Sequence, residues 1–119
     1  MADRTDLLLK QHLYTVFGER DDAKRRVAIA VIWKEDGAFV CSLGAFTGLR
    51  LIDGAIRSIQ EQFPHFVCSE LSAPECFHGI GRSAWGYGLP NEPPRITGLN
   101  VAVVSNNRLS ALYTFFDPP

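Results

Sequence analysis

The side chains able to do chemistry are few and far apart. His12, His65 and His78 share no ligand-type spacing with one another or with a nearby Asp, Glu or Cys, so no metal site is expected. Cys41, Cys68 and Cys76 are odd in number and contain no C-x-x-C pair; reduced thiols fit this better than a disulfide framework or a thiolate zinc site. Gly79-Ile80-Gly81-Arg82 lacks the third glycine of a dinucleotide fingerprint, and no helix follows to receive a pyrophosphate. Gly81-Arg82-Ser83-Ala84-Trp85 ends on tryptophan rather than glycine within a strand-like run, which excludes a nucleophile elbow.

Arg82 and Asp117 are charged residues on segments that otherwise read as core strands. A buried charge must be paired or face a cavity. The two either pass into solvent beyond the strand ends or turn inward, as an ion pair at a pocket mouth or with Arg82 receiving a ligand carboxylate. His78, four residues before Arg82, falls on the same face of an extended strand. The aromatic residues Phe17, Trp33, Phe39, Phe63, Phe77, Trp85, Tyr113, Phe115 and Phe116 exceed what a flat two-layer core of this length requires. Most belong to the core, and on the concave face of a bent sheet they would leave room for a ligand.

These residues must be positioned by a mixture of helices and strands. Leu9, Leu13, Val16 and Phe17 recur at helical spacing behind Thr5 and Asp6 and predict an amphipathic helix over 5–18 ending at Gly18. After the candidate cap Asp21-Asp22, the run Val27-Ala28-Ile29-Ala30-Val31-Ile32-Trp33 is β-branched enough to be a strand or a helix. Glu35-Asp36-Gly37 reads as a turn, Ala38 to Cys41 as a short strand, and Gly44 to Gly48 as a loop. Ile52, Ile56, Ile59 and Phe63 mark a helix that Pro64 terminates. Four β-rich segments then follow, 66–72, 76–89, 96–105 and 109–117, broken by Pro74, by the proline cluster at 90–94 and by Asn106-Asn107. Helices first and hairpin-linked strands after them predict a segregated α+β domain with an antiparallel meander.

The bulk numbers agree with one such domain, residues 1–119. At 46% hydrophobic and 21% charged, the chain is too apolar for disorder, and its longest apolar stretch, Val27 to Trp33, is too short to span a bilayer. The first residues lack the basic and apolar regions of a secretion signal, so a cytoplasmic location is expected. Twelve basic residues against thirteen acidic ones leave a net charge of −1, which makes nucleic acid an unfavoured partner.

Several segments together resemble one superfamily: Leu13-Tyr14; the helix from Gly48 through Phe63-Pro64-His65-Phe66; Arg82-Ser83-Ala84-Trp85; Thr97 to Val104; and Arg108 to Asp117. This pattern is similar to the SnoaL-like members of the nuclear-transport-factor-2-like fold. The resemblance implies a cone of curved antiparallel strands around three helices, with 22–33 helical, a homodimer through the outer sheet face and a pocket for a small apolar molecule at the wide end. It implies no cofactor. Trp33 would lie near that pocket. The family's isomerases, cyclases and lyases use a carboxylate base, whose position is taken here by Cys41, a poor general base when buried. Tyr14 and Asn100 fall where the isomerases keep hydrogen-bond donors to an oxyanion, and they either serve that role or satisfy each other and nearby backbone.

Overall fold

A computed structural model describes residues 4–118. The amino-terminal residues 1–3, part of the signal reading above, lie outside that range. The helix expected over 5–18 is present in two parts: α1 (Thr5–Gln11) runs without a break into a π-helical segment, His12–Phe17. The wider π turn closes with Gly18 N–H donating to Leu13 O at 2.9 Å. Leu9, Leu13, Val16 and Phe17 are all buried, as their spacing requires, and so is His12.

The ambiguous 22–33 segment is α2 (Asp22–Ile32), capped by Asp21, which accepts from Lys24 N–H. Arg25, Ile29 and Ile32 face inward, whereas Val27 and Val31 are exposed. Packing of one face has overridden the strand-like composition. Trp33 then opens β1 (Trp33–Cys41), which is longer than the sequence suggested. Glu35-Asp36-Gly37 is not a turn but the site of a register irregularity inside that strand, and Gly37 is needed there because a Cβ would lie 2.5 Å from the Trp33 ring. The expected loop at 44–48 contains β2 (Gly44–Thr47), antiparallel to β1. Ile52, Ile56 and Ile59 bury one face of α3 (Leu49–Gln62), which ends ahead of Pro64.

Five strands follow: β3 (Val67–Glu70), β4 (Glu75–Phe77), β5 (Ile80–Gly88), β6 (Ile96–Ser105) and β7 (Arg108–Phe116). The single strand expected over 76–89 is divided at His78-Gly79, where both residues take positive φ. The sheet order is β2-β1-β7-β6-β5-β3, with β4 also on β5. The expectation of a wholly antiparallel sheet is corrected at one place: β1 and β7 pair in parallel, and the sheet is mixed. Ser110 is the extra residue of a bulge against Val103-Val104 and donates to Val103 O; Leu109 and Leu112 therefore both face the core.

One hydrophobic core joins α1, the π segment, α2 and α3 to the concave face of this sheet. Arg25, fully buried, fixes the helical layer: its guanidinium donates to Asp53 Oδ1 (2.7 Å), Gln60 Oε1 (3.0 Å), Glu19 O (3.1 Å) and Asp22 Oδ1. Gln60 in turn donates to Phe17 O and Glu19 O, joining α3 to the π segment. Among the described residues no helix is long and apolar enough to cross a membrane.

A second polar contact joins helix to sheet. Trp33 Nε1–H donates to His12 Nδ1 at 3.2 Å, with both side chains at most 1% exposed. Burial pushes the His12 pKa from 6.5 down to about 3. The unfolded chain therefore binds a proton at this residue between about pH 6.5 and 3 that the folded chain refuses. Stability is full above pH 6.5 and falls as the pH is lowered through that window, by up to about 1.4 kcal/mol per pH unit. Urea unfolding midpoints measured from pH 7.5 to 5, above most carboxylate titration, are expected to hold down to about pH 6.5 and to fall below it, and His12→Phe is expected to remove that fall; a wild-type midpoint constant across the range would contradict it.

Candidate functional site

The ladder between β1 and β7 ends at Val40 and Tyr113. Beyond that pair the strands part, leaving a cleft of about 370 Å³ lined by Val40, Cys41, Ser42, Tyr113, Thr114, Phe115 and Phe116. Cys41, Tyr113, Phe115 and Phe116 were expected at a pocket from sequence and meet here. Thr114 was not expected: a threonine in a strand carries no signal of its own, although alternation from Leu112 places it inward.

Thr114 connects the cleft to the interior. Its Oγ1–H donates to Asn100 Oδ1 at 2.7 Å, and both residues are 4% exposed. Asn100 lies opposite Thr114 on one side and Ser83 on the other, a buried polar row across β7, β6 and β5. The bond occupies Oδ1 and leaves the Nδ2 donors outside it. Trp85, from the next inward position on β5, lies across Gly98, where a Cβ would come within 2.4 Å of the indole, and reaches Phe116 in an edge-on contact at 5.5 Å.

Other expected site residues lie elsewhere. Tyr14 is 47% exposed, and its Oη accepts from Glu70 N–H at 2.9 Å; it faces away from the core and does not meet Asn100. His12, two residues back and on the inner face, is the polar residue that the first helix sends inward. Its place was legible, being three residues after Leu9 and four before Val16. Arg82 points outward and pairs with Glu75 (Oε1 at 2.9 Å); alternation along β5 puts it on the face of Ile80. Asp117 is exposed beyond β7, accepting from Thr97 Oγ1. No Arg82–Asp117 ion pair is formed. His78 is exposed on the β4–β5 turn rather than on a strand with Arg82.

Of the remaining aromatic residues, Phe77 is exposed, and the others belong to the core or pack against it. Phe17 packs on Trp85 and Tyr87, and Phe63 on Phe66 and Tyr87. Trp33 and Phe39 are fully buried, Phe39 against Phe46 and His12. None of the three cysteines is in a disulfide, and burial pushes the Cys68 thiol up to about 12, which leaves it protonated and unreactive. A second hollow, about 410 Å³ between α2 and α3, is lined by Arg26, Ile29, Leu49, Arg50 and Asp53. Its carboxylate is already matched, Oδ1 by Arg25 and Oδ2 by Arg26, so the cleft between β1 and β7, whose Thr114 leads to the buried polar row, is the stronger candidate.

No family model matches the chain, and no curated protein does. Solved structures do. A proposed isomerase of the SnoaL-like family from Agrobacterium tumefaciens superposes with a TM-score of 0.88 at 20% identity, over 98% of this chain and 100% of that one. A proposed SnoaL-like polyketide cyclase from Jannaschia sp. gives 0.78 at 9% identity, over 96% and 85%. A de novo designed protein with a curved β-sheet gives 0.74, also at 9%, over 99% and 89%. At these identities the likeness is one of architecture: this chain has the fold of the SnoaL-like, nuclear-transport-factor-2-like proteins.

Proposed function

We propose that the protein binds a small, largely apolar carbonyl compound, which enters where β1 and β7 part and is held through the Asn100 amide. The observation that carries this reading is the orientation of that amide, on a residue 4% exposed whose oxygen accepts from the cleft-lining Thr114, so that its N–H groups are the side turned from that bond. An amide so placed favours a ligand with an acceptor oxygen. The cleft suits the rest of such a molecule, since Phe115, Phe116, Tyr113 and Val40 supply most of its lining. Binding is favoured over proton abstraction because the lining contains a thiol and three hydroxyls but neither a carboxylate nor an imidazole. The fold's cyclase and isomerase relatives make a carbonyl ligand chemically reasonable without assigning their reactions to this chain.

A second reading is favoured by a different observation. The convex face of the sheet carries Phe77 on β4, Ile80 on β5 and, across β6, Tyr113 and Phe115 on β7, each at least 40% exposed. An apolar face of this kind suits a second copy of the chain, and pairing there would bring the partner against Tyr113 and Phe115 at the rim of the cleft. Sedimentation should then give a dimer that Phe77→Glu/Ile80→Glu converts to monomer; a monomer in the wild type rejects the pairing.

The carbonyl reading is tested with acetophenone and its oxygen-free counterpart ethylbenzene. Ligand at about a hundred times its dissociation constant adds roughly 2.7 kcal/mol of stability, a clear rise in melting temperature. Acetophenone is expected to give that rise and ethylbenzene much less, with Asn100→Ala weakening acetophenone about tenfold through loss of one hydrogen bond. Equal rises with the two compounds, or unchanged affinity in Asn100→Ala, would reject the role of the amide.

A further inference from the structure

The hollow between α2 and α3, about 410 Å³, shares no lining residue with the β1–β7 cleft. Ile29, itself 1% exposed, and the half-buried Leu49 give it an apolar floor. Its charged lining residues are Arg26, Arg50 and Asp53, two guanidiniums against one carboxylate. That carboxylate is shared with a third guanidinium, since Arg25 Nε meets Oδ1 at 2.7 Å while Arg26 Nε meets Oδ2 at 3.2 Å. Arg50 is exposed and makes no ion pair among the described residues. The hollow therefore carries an excess positive charge beside apolar surface.

The direction of the Arg26–Asp53 contact matters. Asp53 engages only Nε, and the two terminal nitrogens of Arg26 lie outside that bond, on a side chain 58% exposed. A guanidinium held at Nε presents its terminal N–H groups as a planar fork, whose spacing matches the two oxygens of a carboxylate. Arg50 adds to the same field from the first turn of α3, which contains no acidic residue to offset it.

We propose that this hollow is a second binding site, separate from the cleft, for a small carboxylate with an apolar body, of which benzoate is the simplest aromatic case. The carboxylate is held by Arg26 and Arg50, and the ring lies on Ile29 and Leu49. A monoanion balances the single excess charge. A more highly charged phosphate, which has no apolar surface, would leave the floor unused, and a neutral ring compound would leave the guanidiniums unused. The site does not depend on the carbonyl-binding reading, and neither stands or falls with the other.

The test is a titration of 4-fluorobenzoate into the intact chain, followed by fluorine NMR of the ligand and by the amide and arginine Nε–H cross-peaks of the protein. Saturable binding is expected, with shifts at Arg26, Leu49 and Arg50 and little change at 40–42 and 113–116. The neutral 4-fluorobenzamide and inorganic phosphate are each expected to bind at least about tenfold more weakly. Arg50→Gln breaks no ion pair of the fold and should weaken 4-fluorobenzoate about tenfold, whereas Arg50→Lys, which keeps the charge but not the fork, should recover part of that loss. No saturable binding, equal affinity for the acid and the amide, unchanged affinity in Arg50→Gln, or shifts confined to the β1–β7 cleft would each overturn the inference. Phosphate binding as tightly as 4-fluorobenzoate would overturn the assignment to a carboxylate with an apolar body.

Discussion

The hydrogen bond from Trp33 to His12 is the contact on which the interior depends. His12 is the first residue of the π segment and Trp33 the first residue of β1, so one bond relates the first helix to the strand that carries the cleft. Both partners are removed from water, where a mismatched polar atom is costly and a matched one restricts the packing to a single arrangement. The same bond decides which imidazole nitrogen bears hydrogen: an indole N–H only donates, so Nδ1 presents a lone pair and the proton of the neutral ring sits on Nε2. Orientation of the helix and acid sensitivity of the fold thus share one cause.

A fold shared with a proposed isomerase, a proposed polyketide cyclase and a designed protein cannot by itself supply an activity. What is particular to this chain is the polar content of its concave side. Tryptophan, leucine and isoleucine fill most of that space, yet His12, Asn100, Thr114 and Ser83 are buried among them. Thr114 donates to Asn100 Oδ1, and Trp33 donates to His12 Nδ1.

Much of the architecture was legible because local pattern and final packing agree. Ile52, Ile56 and Ile59 mark α3 by spacing alone, and β6 occupies the expected 96–105 without a shift. Where local and tertiary preferences conflict, pattern fails: Val27 and Val31 look like strand residues but lie on the solvent face of a helix. The parallel pairing of β1 with β7 joins segments some seventy residues apart and leaves no local trace. Family alignment pointed to Tyr14, whereas the spacing that puts His12 on the inner face, three residues after Leu9 and four before Val16, was not read from the sequence. The hydroxyl of Tyr14 turned out to serve the backbone of β3. Arg82 and Asp117 were ambiguous because a charge on a strand is decided by which face it occupies, and each faces solvent with a partner of its own.

The central claim is that the imidazole of His12 is neutral with its hydrogen on Nε2. Neutron diffraction from a deuterated crystal at pH 7 would locate that atom directly. The account predicts deuterium on Nε2, none on Nδ1, and the Trp33 indole deuterium directed at Nδ1. Deuterium on Nδ1, alone or together with Nε2, would contradict it.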